Sequence, residues 1–171
     1  MLKVLQSLWP DARTRNVDVL RHEPSDAFLD RVTLTYHGGD SFQETFVIKD
    51  TDAKTLGEYG IGFAALTDLT CPDGPVLVEL WLYDKAAGQT DAIMLIAKHT
   101  ARRPEEFTQA FQRLGRTQPV TAKPGATICL ELGSLCVCAT VTEVIYADTI
   151  QNQFERLTID FEVWTLVETR L

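Results

Sequence analysis

The chain has 171 residues, 45% of them hydrophobic, and 24 acidic side chains against 16 Lys and Arg give a net charge of −8. That length and apolar content suit one substantial core and leave too little chain for two. The negative balance excludes strong attraction to a phosphate backbone or an anionic membrane, because the densest basic stretch, Ala101-Arg102-Arg103, runs directly into Glu105 and Glu106.

The opening "MLKVLQSLWPDARTR" has too short an apolar run for a secretory signal, and it suits a short helix as well as an edge strand. Nothing later approaches the ~20 continuous apolar residues of a membrane span. These features predict a soluble, cytoplasmic protein with no membrane span and no nucleic-acid partner.

Arg31 to His37 places Val32, Leu34 and Tyr36 on one face, and Phe42, Phe46 and Ile48 continue that parity after "HGGD". A hairpin with a three-residue Gly38-Gly39-Asp40 loop is expected, with Tyr36 opposite Phe42 and Val32 opposite Phe46. No helix pattern follows "HGGD", which argues against an anion-binding glycine loop. "TLGEYGIGFAAL" is too rich in glycine for a helix and reads as a bent strand. "TCPDGP" is turn chemistry, with Cys71 as an inert loop thiol.

Val76 to Asp84 and Ala92 to Ala97 are apolar on both faces, which predicts central strands joined through "KAAGQT". "RRPEEFTQAFQRLG" reads differently. Pro104 suits the first helical position, Glu105 and Glu106 the positive end, Arg113 the last turn and Gly115 the stop, while Phe107, Ala110, Phe111 and Leu114 share one face. An amphipathic helix over about 104–114, packed on the sheet, is expected.

In "CLELGSLCVC", a two-residue turn at Gly133-Ser134 pairs Leu132 with Leu135, Glu131 with Cys136 and Cys129 with Cys138. The three cysteines then lie on the face opposite the apolar one. Cys129 and Cys138 form a non-hydrogen-bonded pair about 4.5 Å apart at Cα, close enough to bridge. Zinc would need Cys129, Cys136 and Cys138 to converge with Glu131 or His99, and three ligands on a flat face converge poorly on a tetrahedral ion. Four cysteines are no disulfide framework, so half-buried thiols are the expectation, with a regulatory disulfide or a metal as alternatives. The last strand, "FERLTIDFEVWTLVE", puts Leu157, Ile159, Phe161, Val163 and Val167 on one face and Arg156, Thr158, Asp160 and Glu162 on the other, with Trp164 breaking the polar row.

Asp50 and Asp52, with Asp84 from another strand end, offer oxygen ligands of the type calcium takes. "D-x-D…LGE" followed by an Ile-containing strand resembles the calcium-loop end of C2 domains, and that resemblance implies an eight-stranded β-sandwich with calcium at those aspartates. "LGEYGIGF", "VELWLYDK" and "FERLTIDFEVW" are also similar to uncharacterised bacterial proteins of about this size, a family that brings no activity with it.

For catalysis, His22, His37 and His99 are scattered, and no HExxH, GxSxG, P-loop or Rossmann fingerprint is present. The sequence therefore predicts a single β-rich domain over residues 1–171, mainly β, as an antiparallel β-sandwich or partly closed β-barrel with one amphipathic helix. The leading functional expectation is a non-enzymatic binding or assembly module of the bacterial cytoplasm. It would have a protein partner or self-associate, carry an interface at Trp81, Tyr83 and Trp164, and use no cofactor. The alternatives are a small-molecule- or metal-binding β-barrel, with an enzyme among its forms, and a C2-like calcium module.

Overall fold

The computed structural model describes residues 27–39, 42–63, 77–97, 119–147 and 150–166, with the side chains of 150–152 left aside. Nine strands make up this part: β1 Ala27–Tyr36, β2 Gln43–Lys49, β3 Thr55–Phe63, β4 Leu77–Asp84, β5 Gln89–Ile96, β6 Val120–Thr121, β7 Thr127–Leu132, β8 Leu135–Ala147 and β9 Ile150–Thr165. They form two sheets, in the orders β1-β9-β8-β7 and β2-β3-β4-β5-β6, and no closed barrel. Every pairing is antiparallel except the short one between β5 and β6. No helix lies among the described residues, and the helix expected over 104–114 falls outside them.

Alternation decides which side of each strand is dry. In β9, Leu157, Ile159, Phe161 and Val163 are buried while Glu155 and Arg156 are exposed. Phe154 is buried as well, although its parity is opposite. Ile145 pairs with Arg156 and Tyr146 with Phe154, so Glu155 is an extra residue that rotates the strand by one position. From the facing sheet come Tyr59 and Ile61 of β3 and Leu80 and Leu82 of β4, and residues of both sheets join in one hydrophobic cluster. Tyr59 stacks on Phe46 at 5.0 Å between ring centroids and meets Phe161 across the sandwich at 5.4 Å. At the other end, Gly57 leaves room for Leu135, whose Cδ1 would lie 2.8 Å from an added Cβ.

The expected β1–β2 hairpin is not formed. β1 pairs with β9, so Val32 opposes Phe161, and β2 pairs with β3, so Phe46 opposes Tyr59. The chain turns a corner between the sheets here, with Gly38 at φ 84° and Gly39 at φ 117°, and the Tyr36 hydroxyl donates to the Gly39 carbonyl at 2.7 Å. Tyr36 and Phe42 do meet, at 5.1 Å between centroids, but as ring neighbours in a corner that also holds Phe63.

The central position of β4 and β5 agrees with their two-sided apolar pattern: Met94 and Ile96 are as buried as Ile93 and Leu95.

Candidate functional site

The β7–β8 hairpin has the expected register, with Leu132 opposite Leu135, Glu131 opposite Cys136 and Cys129 opposite Cys138. Gly133 supplies the turn's positive φ of 58°, and Ser134 is not in the left-handed region, as a turn with glycine first requires. Ile128, Leu130, Leu135, Val137 and Ala139 are buried in the core, and the sulfur atoms lie on the opposite face of this sheet.

Cys129 and Cys138 are joined by a disulfide, with Cα atoms 4.1 Å apart. This corrects the expectation that the cysteines would remain thiols: a non-hydrogen-bonded cross-strand pair brings two side chains of one face within bonding reach. Cys136 keeps its thiol and is fully buried, with its Sγ 3.8 Å from the Sγ of Cys138. Because a disulfide sulfur carries no hydrogen, the Cys136 S–H is the donor in that contact. Three sulfurs thus sit in a row of decreasing access, from half-buried Cys129 through Cys138 to Cys136.

The same face continues across β9 and β1 as a polar ladder. Arg31 bridges Glu162 at 2.9 Å, the Thr33 hydroxyl donates to Asp160 at 2.7 Å, and the Thr35 and Thr158 hydroxyls lie 3.2 Å apart. These are the cross-strand partners that the alternating polar residues of β9 imply. Trp164 interrupts the ladder, opposite Cys136 on β8 and with Phe28 edge-on at 5.1 Å.

The aspartates singled out as calcium ligands are engaged in turns. Asp84 is 1% exposed, and its carboxylate accepts from the amides of Ala86 at 2.7 Å, Ala87 at 3.0 Å and Ser134 at 3.2 Å. It closes the β4–β5 turn and fastens the β7–β8 turn of the other sheet to it. Asp50 accepts from the amides of Asp52 at 3.0 Å and Lys54 at 2.9 Å, and Asp52 is exposed. Among the described residues no three His, Cys, Asp or Glu side chains stand together as a metal-binding group. The geometry thus supplies no calcium donor set there.

Trp81 and Tyr83 project from the outer face of β4, whereas Trp164 lies on the outer face of the other sheet, so the three aromatics do not share a surface. Trp81 sits opposite Gly60, and its indole occupies the space a side chain there would take. Thr45, Gly60, Trp81 and Ala92 form one cross-strand row and Val47, Glu58, Tyr83 and Thr90 the next. The rows end on edge strand β2, where Val47 is 48% exposed. Sequence reasoning passed over Val47, although its parity, opposite to that of Phe46 and Ile48, was the available signal.

Two further groups are perturbed. The Tyr59 hydroxyl is buried with no hydrogen-bond partner among the described residues, and burial, reinforced by the Asp30 carboxylate, pushes its pKa far up. Burial also raises Asp91, partly offset by the Ala92 amide that donates to it at 2.7 Å.

Comparison with known proteins finds no matching family model, no matching curated protein and no matching solved structure. Among the described residues no helix is long and apolar enough to cross a membrane.

Proposed function

We propose that the chain is a non-enzymatic assembly module that pairs with a second copy of itself through β2. The observation that carries this reading is the continuity of Trp81 and Tyr83 with an exposed edge strand. β2 presents five of its seven side chains to solvent, Val47 among them.

The other edges are poorer templates, for reasons that recur in proteins avoiding edge pairing. β6 has two residues, β1 carries a bulge between Phe28 and Asp30, and β7, at six residues, is shorter than the seven of β2. In β2 the Phe42 carbonyl accepts from Phe63, so alternation turns the backbone groups of Gln43, Thr45, Val47 and Lys49 away from β3. A two-fold axis at Phe46 pairs Thr45 with Val47, Glu44 with Ile48 and Gln43 with Lys49 of the other copy. No like charges oppose in that register. Shifting the axis to Val47 sets Glu44 against Asp50.

Light scattering after size exclusion, over about 1 to 200 μM, tests the reading. The expected mass is twice the 19.1 kDa of the chain at the upper end, and Val47→Lys should return it to one chain that unfolds cooperatively with the Tm of the dilute parent. A single-chain mass at every concentration, or a dimer indifferent to Val47→Lys, would sink it.

One observation favours a second reading, a small-molecule-binding sandwich: the buried Tyr59 hydroxyl has no partner among the described residues. A ligand supplying an acceptor there would lose affinity on Tyr59→Phe.

A further inference from the structure

We propose that Cys129, Cys136 and Cys138 form a thiol–disulfide relay that presents Cys129 as a modification site for small-molecule disulfides. The resting bridge joins Cys129 to Cys138, and the buried Cys136 Sγ stands 3.8 Å from the Cys138 Sγ. An attacking thiolate approaches a disulfide sulfur from this range, and Cys138 is the only sulfur shared by both possible bridges.

The step balances without an external oxidant or reductant. The Cys136 thiol gives its proton to solvent, and the thiolate forms a bond to the Cys138 Sγ. The Cys129–Cys138 bond breaks as that bond forms, and its electron pair leaves on the Cys129 Sγ. One disulfide is exchanged for another, and the thiol has moved from a fully buried position to a half-buried one. There the Cys129 thiolate attacks a small-molecule disulfide RSSR, forming Cys129–S–SR and releasing RS⁻.

The structure shows the resting form as the Cys129–Cys138 bridge, which the hairpin draws together to 4.1 Å between Cα atoms, just under the usual lower end of about 4.4 Å for a disulfide. Cys136 and Cys138 are two residues apart on one strand, about 6.6 Å between Cα atoms, inside the upper end of that range, so both bridges are within reach of the Cys138 sulfur. Modification of Cys129 traps the exchanged form.

The order of access separates this relay from a static bridge. With the resting disulfide closed, the only thiol of the three is the least accessible one. A reagent that cannot reach Cys136 labels nothing here unless exchange delivers the thiol to Cys129.

The test uses the full chain carrying Cys71→Ser, treated with N-ethylmaleimide under native conditions at pH 8 and mapped as non-reduced peptides. The relay gives label on Cys129 together with a Cys136–Cys138 bridge. Its rate should be independent of reagent at high concentration and fall about tenfold per pH unit in the acid range, as expected for thiolate attack. Cys136→Ser should abolish the label. The proposal is overturned if native label falls on Cys136 alone, if none of the three is labelled before denaturation, or if Cys129 is still labelled in a folded Cys136→Ser protein. The mapping and the concentration dependence are read on the chain with all three cysteines in place, so the test holds even if that last variant fails to fold.

Discussion

Asp84 is the side chain whose loss tests the architecture most directly. Replacing it with Ala removes the acceptor for three amides, those of Ala86, Ala87 and Ser134, from a site that is 1% exposed. Hydrogen bonds to a charged group are worth about 1.5–3 kcal/mol each when the freed donors stay dry. Here all three donor residues are exposed, so water takes part of the vacated role and about 1 kcal/mol each is the better figure, similar to the loss of a helix cap. The total is about 3 kcal/mol. At about 2–4 °C per kcal/mol for a chain of this size, Tm falls by about 6–12 °C. Asp84→Asn keeps one oxygen acceptor and should lose less than half of that. Urea unfolding followed by far-UV circular dichroism, with calorimetry for Tm, measures both variants. An Asp84→Ala protein within about 0.5 kcal/mol of the parent, or an Asn variant as damaged as the Ala one, would refute the assignment of this carboxylate as the clamp between the two turns. Calcium should leave the parent's Tm unchanged, since among the described residues neither Asp84 nor Asp50 and Asp52 belong to a group of three or more carboxylates that could hold it.

Three further outcomes are expected. Reducing the Cys129–Cys138 bridge opens a loop with a sequence separation of 9; chain entropy puts its contribution at about 2.6 kcal/mol, so reductant should lower Tm by about 5–10 °C in a scan with and without phosphine. Asp91→Asn should stabilise the protein at pH 7: burial raises the folded-state pKa above its ordinary 3.8, so stability is lost as pH rises through the interval from 3.8 to that raised value. The advantage of Asn therefore vanishes below that interval, which denaturant titrations at pH 3.5 and 7 would reveal. Tyr59→Phe removes a buried hydroxyl that has no partner among the described residues and should raise stability by about 1 kcal/mol, whereas a loss of stability would mean that the hydroxyl is satisfied in the folded protein.

Where local chemistry determines geometry, the sequence could be read to the residue. The Gly133-Ser134 turn sets the pairing of Cys129 with Cys138, and the alternation in β9 identifies Leu157, Ile159, Phe161 and Val163 as its dry side. Period two, however, specifies a face and not a neighbour. Val32 and Phe46 both point inward, and that holds equally if they oppose each other in a hairpin or face Phe161 and Tyr59 from separate sheets. Gly38 and Gly39 permit the corner as readily as the hairpin loop. The Phe154 bulge was illegible for a related reason, because one extra residue in β9 has meaning only against the register of β8. The candidate site divides in the same way: the shared face of the three cysteines follows from spacing, whereas the burial of Cys136 and the placing of Trp164 on the opposite side of the sandwich from Trp81 depend on which strands become neighbours.

The disulfide changes what the hairpin can do in different surroundings. In oxidising conditions the three sulfurs always hold one disulfide at the hairpin beside edge strand β7, whereas a cytosolic thiol pool opens and closes it. The sulfurs and the β2 edge lie on different sheets, so among the described residues a change at one reaches the other through contacts that join the sheets. Asp84 is such a contact: its own strand carries Trp81 and Tyr83, and its carboxylate holds the Ser134 amide in the turn of the sulfur hairpin. Slackening the hairpin by reduction loosens the far end of that hydrogen bond while the Ala86 and Ala87 amides keep Asp84 in place. A bond lost at one end with its acceptor still held on the other side does not move β4. Through the contacts among the described residues, the aromatic edge is therefore insulated from the redox state of the sulfurs, and coupling between them along this route would require the two sheets to shift as bodies against a packed core.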